Sequence, residues 1–121
     1  MDIRKLQKVV VSALEDIKGK DIEVINTTKL TSMFDRLVIA TGDSNRQVKA
    51  LARNVQEKVR EAGAEVLSVE GEDAGEWVLV DLGDVIVHVM QPSVRQYYNL
   101  EELWQTTPAQ RRKAAAQAAG E

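Results

Sequence analysis

The chain has 121 residues, no cysteine, a hydrophobic share of 44% and a formal net charge of −3. That length fits one domain that buries a core without disulfides or metals, and the apolar content excludes wholesale disorder. The absence of cysteine removes disulfides, thiolate nucleophiles and cysteine-held metals together, and suits a reducing, cytoplasmic setting.

Met1 to Lys5 leads into an amphipathic pattern and not an apolar run, so no signal peptide is expected. No apolar stretch approaches the roughly 18 residues of a membrane span. Asp2 is placed to cap a first helix, in which Ile3, Leu6, Val10, Leu14 and Ile17 share one stripe and Gly19 is the stop. Ile22 to Asn26 is short and β-branched, and reads as a strand. A polar connection, Thr27 to Met33, leads to a buried-looking strand from Arg36 to Thr41 that ends at Gly42-Asp43-Ser44.

Ser44 opens a second helix as its N-cap, with Gln47 at the capping-box position. Val48, Leu51, Ala52, Val55 and Val59 line one face of it, and Gly63 ends it. Three strands follow, at Val66 to Glu70, Trp77 to Leu82 and Val85 to Met90, with a polar turn from Gly71 to Gly75. Pro92 breaks the sheet, and Ser93 to Trp104 reads as one or two short helical turns. After Gln105 the chain turns rich in Ala and Gln, and a frayed or disordered tail over 106–121 is expected. The order predicts one α/β domain over 1–105, a mixed sheet of about five strands with helices packed on one face.

The hairpin within Glu76 to Met90 carries the most information. Gly83-Asp84 suits a two-residue turn with Gly first, which pairs Leu82 with Val85, Val80 with Val87 and Val78 with Val89. That face is wholly aliphatic and belongs to the core. The other face carries Asp81 opposite Ile86, Leu79 opposite His88 and Trp77 opposite Met90. A one-residue slip would destroy the aliphatic face, so the register is well determined. Two readings of the second face stand together. The chain's own Tyr97, Leu100 or Trp104 folds over it, or it is an apolar docking patch with a polar edge.

Charge bears on the docking reading. Between Glu61 and Val94 there is no Lys or Arg, while eight acidic side chains from Glu61 to Asp84 fall there. Phosphate backbones are bound by basic residues, so this third of the chain suits a basic partner or open solvent better than nucleic acid.

Catalytic chemistry is weakly represented. His88 is the lone histidine, with no ligand spacing around it for a transition metal. Gly42-Asp43-Ser44 lacks the longer glycine pattern of a phosphate loop and reads as a turn plus N-cap. Asp81 and Asp84 suggest a two-carboxylate Mg²⁺ site, but Asp84 lies in the turn itself and the two need not converge. Arg46 and Lys49 read as surface charges. No catalytic residue, metal or cofactor is expected.

Several motifs in fixed order carry a resemblance. They are Asp35 to Val48, Glu70-Gly71, Gly75 to Asp81, Gly83 to Met90, and Arg95 to Trp104 with Tyr98, Leu100 and Glu101. Together they resemble the ribosomal silencing factor family, RsfS, also called Iojap, over roughly residues 3 to 105. The resemblance implies a nucleotidyltransferase-like α/β fold without a catalytic carboxylate pair, since Asn45-Arg46-Gln47 follow the Gly-x-Ser turn. It implies binding to the large ribosomal subunit at its fourteenth protein, steric blockade of small-subunit joining, and repression of translation when nutrients are scarce. Homodimers are a further implied form. Trp77, Leu79, Asp81, Ile86, His88, Met90 and Tyr98 are the expected partner-binding residues. A degenerate nucleotidyltransferase that binds a nucleotide is the alternative.

Overall fold

The computed structural model describes residues 1–105, and the expected tail over 106–121 lies outside them. The element order is α1 (Ile3–Asp16), β1 (Lys20–Asn26), β2 (Arg36–Thr41), α2 (Asn45–Glu61), β3 (Ser68–Glu70), β4 (Trp77–Asp81), β5 (Val85–Met90), α3 (Pro92–Tyr98) and α4 (Leu100–Gln105).

The helix ends follow local chemistry. The Asp2 carboxylate accepts from Arg4 N–H at 2.8 Å and starts α1. The left-handed residue after α1 is Lys18, with φ of 59°, and not Gly19. Gly19 is required for room, because a Cβ there would stand 3.0 Å from the Leu14 carbonyl and 3.1 Å from Leu51 Cδ2. Ser44 Oγ accepts from Gln47 N–H at 3.1 Å and caps α2. The Gln47 amide departs from a simple capping box. Its oxygen accepts from Asp43 N–H at 2.7 Å, and its nitrogen donates to the Ile17 and Lys18 carbonyls. One side chain thus ties the end of α1 to the start of α2.

The five strands form one mixed sheet in the order β1-β2-β5-β4-β3. The central pair, β2 and β5, is parallel, and the other neighbours are antiparallel. Both central strands are covered on both faces, which explains their nearly unbroken apolar runs. The hairpin register matches the expected one, with Val80 opposite Val87 and Val78 opposite Val89. Gly83 takes the positive φ, 89°, that its place in the turn demands. Strand β1 begins two residues earlier than expected, through a bulge between Lys20 and Glu23 where Asp21 has φ of 48°. Strand β3 is shorter than expected and pairs only through Ser68, Val69 and Glu70.

Two apolar layers result. Leu6, Val10 and Leu14 of α1 and Val48, Leu51, Val55 and Val59 of α2 pack on Val38, Ala40, Val78, Val80, Val87 and Val89. Each fully buried side chain of this kind contributes about 1.5–3 kcal/mol. The opposite face holds Ile25, Leu37, Ile39 and Met90, against which Phe34, Val94, Leu100 and Trp104 pack. The expectation of helices on one face is corrected here. α1 and α2 lie on one face, and α3 and α4 return to the other, because Leu37, Ile39 and Met90 are too apolar to be left wet.

Candidate functional site

The face away from α1 and α2 is the candidate site. Strand alternation places Trp77, Leu79 and Asp81 of β4 beside Met90, His88 and Ile86 of β5 in cross-strand pairs. The structure therefore brings these six together. Tyr98 joins them from α3, its ring centroid 4.8 Å from that of Trp77.

Their exposure divides the set. Trp77, Leu79, Asp81 and Ile86 are half-buried and Tyr98 is exposed. Met90 is fully buried, which corrects its expected role as a contact residue. It lies at the end of the central strand under Val94 and Leu100, so it is core. His88 is 9% exposed, and its Nδ1 accepts the Trp77 indole N–H at 2.8 Å. Burial pushes the imidazole pKa down from 6.5 to about 4. At neutral pH it is an uncharged acceptor. Asp81 is also committed locally, since its carboxylate accepts from Gly83 N–H at 2.8 Å in the hairpin turn.

A cleft of about 600 Å³ opens between the hairpin and the returning C-terminal segment. Leu79, Ile86 and His88 line it from the sheet, Phe34 and Trp104 from one wall and Leu67 from the other. Glu70 and Asp81 also line it and are the only charged side chains to do so among the described residues. Sequence reading missed Met33, which is 81% exposed at the mouth, and Leu67, which is 57% exposed. Their signal was an apolar residue in an otherwise polar connection and one just before the β3 edge.

The α3–α4 segment is held by a polar clasp. Arg95 Nη1 donates to Thr41 Oγ1 at 2.8 Å, and its Nε donates to the Glu101 carboxylate at 2.6 Å. Asn99 takes a left-handed conformation, φ 47°, which turns the chain between the two helices. Tyr97 and Tyr98 are left outward, stacked edge to face with centroids 5.0 Å apart.

The Gly42-Asp43-Ser44 turn is self-satisfied. Asp43 is ion-paired with Lys20, which raises the Lys20 pKa through that hydrogen bond and charge, and its N–H is taken by Gln47. Among the described residues, no three His, Cys, Asp or Glu side chains gather as a metal centre requires. Among the same residues no helix is long and apolar enough to cross a membrane.

The family model described as "Ribosomal silencing factor during starvation" matches residues 1–121. The chain belongs to the ribosomal silencing factor family. It is 61% identical over 104 residues to ribosomal silencing factor RsfS of Chromobacterium violaceum, covering 86% of this chain and 85% of that one. RsfS of Bacillus subtilis is 39% identical over 108 residues, covering 89% and 92%. A crystal structure of a Chromobacterium violaceum protein superposes with a TM-score of 0.86 at 59% identity, covering 88% of this chain and 89% of that one. The five-stranded mixed sheet with its helices is thus shared with a solved structure. The RsfS match also runs through 106–121, which the motif series had left out. RsfS proteins are named for a regulatory effect on ribosomes, not for a chemical reaction.

Proposed function

We propose that this silencing factor binds the large ribosomal subunit, at its fourteenth protein, through the face built on Trp77, Leu79, Ile86 and Tyr98, and there blocks joining of the small subunit. The observation that carries this reading is the cleft beside Trp77. It combines half-buried apolar side chains with the exposed Met33 and Leu67 at a rim whose charges, among the described residues, are acidic, and the exposed Tyr98 lies against Trp77 beside it. An apolar centre with a polar rim is the anatomy of a docking site, and the acidic rim suits a basic protein. Steric blockade requires affinity and bulk alone, so the role is regulatory and non-enzymatic, repressing translation in the cytoplasm when nutrients are scarce.

Residues 1–105 carry this role as one domain. The sheet order and the Gly-x-Ser turn fit a nucleotidyltransferase-like ancestry in which the turn has become structural, with Asp43 held by Lys20. In the absence of ribosomes the same apolar face would pair two copies of the chain, so dimer and ribosome-bound forms would exclude each other. Light scattering across a concentration series, with and without large subunits, measures this.

The direct test is sedimentation of separated subunits through sucrose. Added before mixing, the protein should keep large and small subunits apart and travel with the large one. An undiminished joined peak, or travel with the small subunit, would refute the reading.

A further inference from the structure

His88 occupies a position that packing alone would give to an aliphatic residue. It sits at the centre of the sheet, paired with Ile39 of β2 on one side and Leu79 of β4 on the other. Placing a polar ring there costs free energy unless its hydrogen bonds are made. One is made to Trp77, with ring centroids 5.7 Å apart and planes tilted by 46°. Trp77 is the only described residue bonded to the imidazole.

The direction of that bond fixes the tautomer. A neutral imidazole that accepts at Nδ1 carries its proton on Nε2. No buried side-chain nitrogen or oxygen among the described residues lacks a partner, so Nε2, which has none, is not sealed in the core. His88 lines the cleft, which is the side from which a partner would reach that N–H. The same bond holds the indole of Trp77, which Tyr98 touches as well. An indole fixed before binding loses less side-chain entropy on docking.

We propose that His88 is a positioning residue of the docking face: Nδ1 fixes the Trp77 indole, and Nε2–H is offered to an oxygen acceptor on the partner, a backbone carbonyl or amide oxygen. This rests on the reading that the face docks on the large subunit. An apolar floor with one fixed donor selects a partner segment that brings an acceptor with its apolar side chain. An entering segment with no acceptor would leave the donor desolvated and unpaired.

The test uses the full chain, with nitrogen-15 spectra and large-subunit binding as separate readouts. In the wild type the imidazole should show the Nε2-protonated tautomer, and the Trp77 indole N–H should be protected from exchange. His88→Leu removes both limbs while keeping similar bulk. It should strip that protection and weaken large-subunit binding by about tenfold. His88→Asn places an amide oxygen near the Nδ1 position and nothing at Nε2. It should restore the protection and only part of the affinity. A wild-type imidazole protonated on Nδ1 would overturn the proposal with no variant needed. So would His88→Leu binding as tightly as wild type while Trp77→Ala binds weakly. If Trp77→Ala also binds unchanged, the docking reading itself has failed, and the proposal with it.

Discussion

Phe34, just before β2, packs its ring against Trp104 of α4, with centroids 5.3 Å apart and planes at 60°. This contact joins two segments remote in sequence into one wall of the cleft. It makes the shape of the candidate site depend on the docking of a six-residue helix. Trp104→Ala should therefore lower stability by about 2 kcal/mol, less than for a fully buried tryptophan because Trp104 is half-buried. It should also weaken large-subunit binding, although Trp104 is a wall and not the centre of the face. Urea denaturation and co-sedimentation measure the two effects.

The polar clasp should behave differently from the aromatic one. Arg95 has a side chain only 11% exposed and serves both Thr41 and Glu101. Glu101→Gln should cost about 2 kcal/mol, because it leaves a largely buried guanidinium without its counter-charge. Arg95→Lys should not rescue function, since a lysine cannot reach two partners in the fork geometry. Both variants should mobilise α3 and reduce quenching of Trp77 by Tyr98, read by fluorescence.

Acid should weaken the fold through His88. Its pKa falls from 6.5 in the unfolded chain to about 4 in the folded one. Above pH 6.5 the ring is neutral in both states and its contribution is fully present. Between 6.5 and 4 the unfolded chain takes up a proton that the folded chain refuses, so stability drops as pH falls. Below 4 the loss is complete, at about 3 kcal/mol. Subtracting the denaturation profile of His88→Leu from that of the wild type isolates this loss from the carboxylates. A flat difference between pH 7 and 4 would contradict the burial of the ring.

Two glycines with positive φ should respond unequally to alanine. Gly63, φ 88°, has nothing within 4 Å of an added Cβ, and Gly63→Ala should cost about 1 kcal/mol. At Gly71, φ 84°, the same atom would stand 2.1 Å from the Trp77 carbonyl oxygen. Gly71→Ala should cost at least about 2 kcal/mol and displace the start of β4. Thermal unfolding of the pair checks the contrast.

The hairpin was legible in the sequence because six aliphatic residues at alternate positions leave one register open to them. Ser44, Gln47 and Gly63 marked α2 through chemistry confined to a few neighbouring residues. The cover of the other face was legible only in part: Leu100 and Trp104, two of the three side chains expected there as one of two readings, do pack on it, while Tyr97 stays exposed. Alternation tells that Ile25, Leu37, Ile39 and Met90 share a side, but not that Phe34 and Trp104 meet above them. Met90 was therefore read as surface. The start of β1 was hidden for another reason, since Lys20 and Asp21 are polar and pair through a bulge. Asp81 was seen as a partner contact, while its bond to Gly83 N–H became visible only in three dimensions.

The central claim is that the Trp77 face, and not the helix layer, meets the large subunit. Leu79→Glu puts a charge on that face, and Arg53→Glu puts one on the exposed side of α2. Co-sedimentation of both folded variants with purified large subunits tests the claim most directly. Leu79→Glu should lose binding by at least about tenfold, as a buried unpaired charge at an apolar contact requires, while Arg53→Glu should bind as wild type. Retained binding by Leu79→Glu together with lost binding by Arg53→Glu would contradict the account and move the docking surface to the helices.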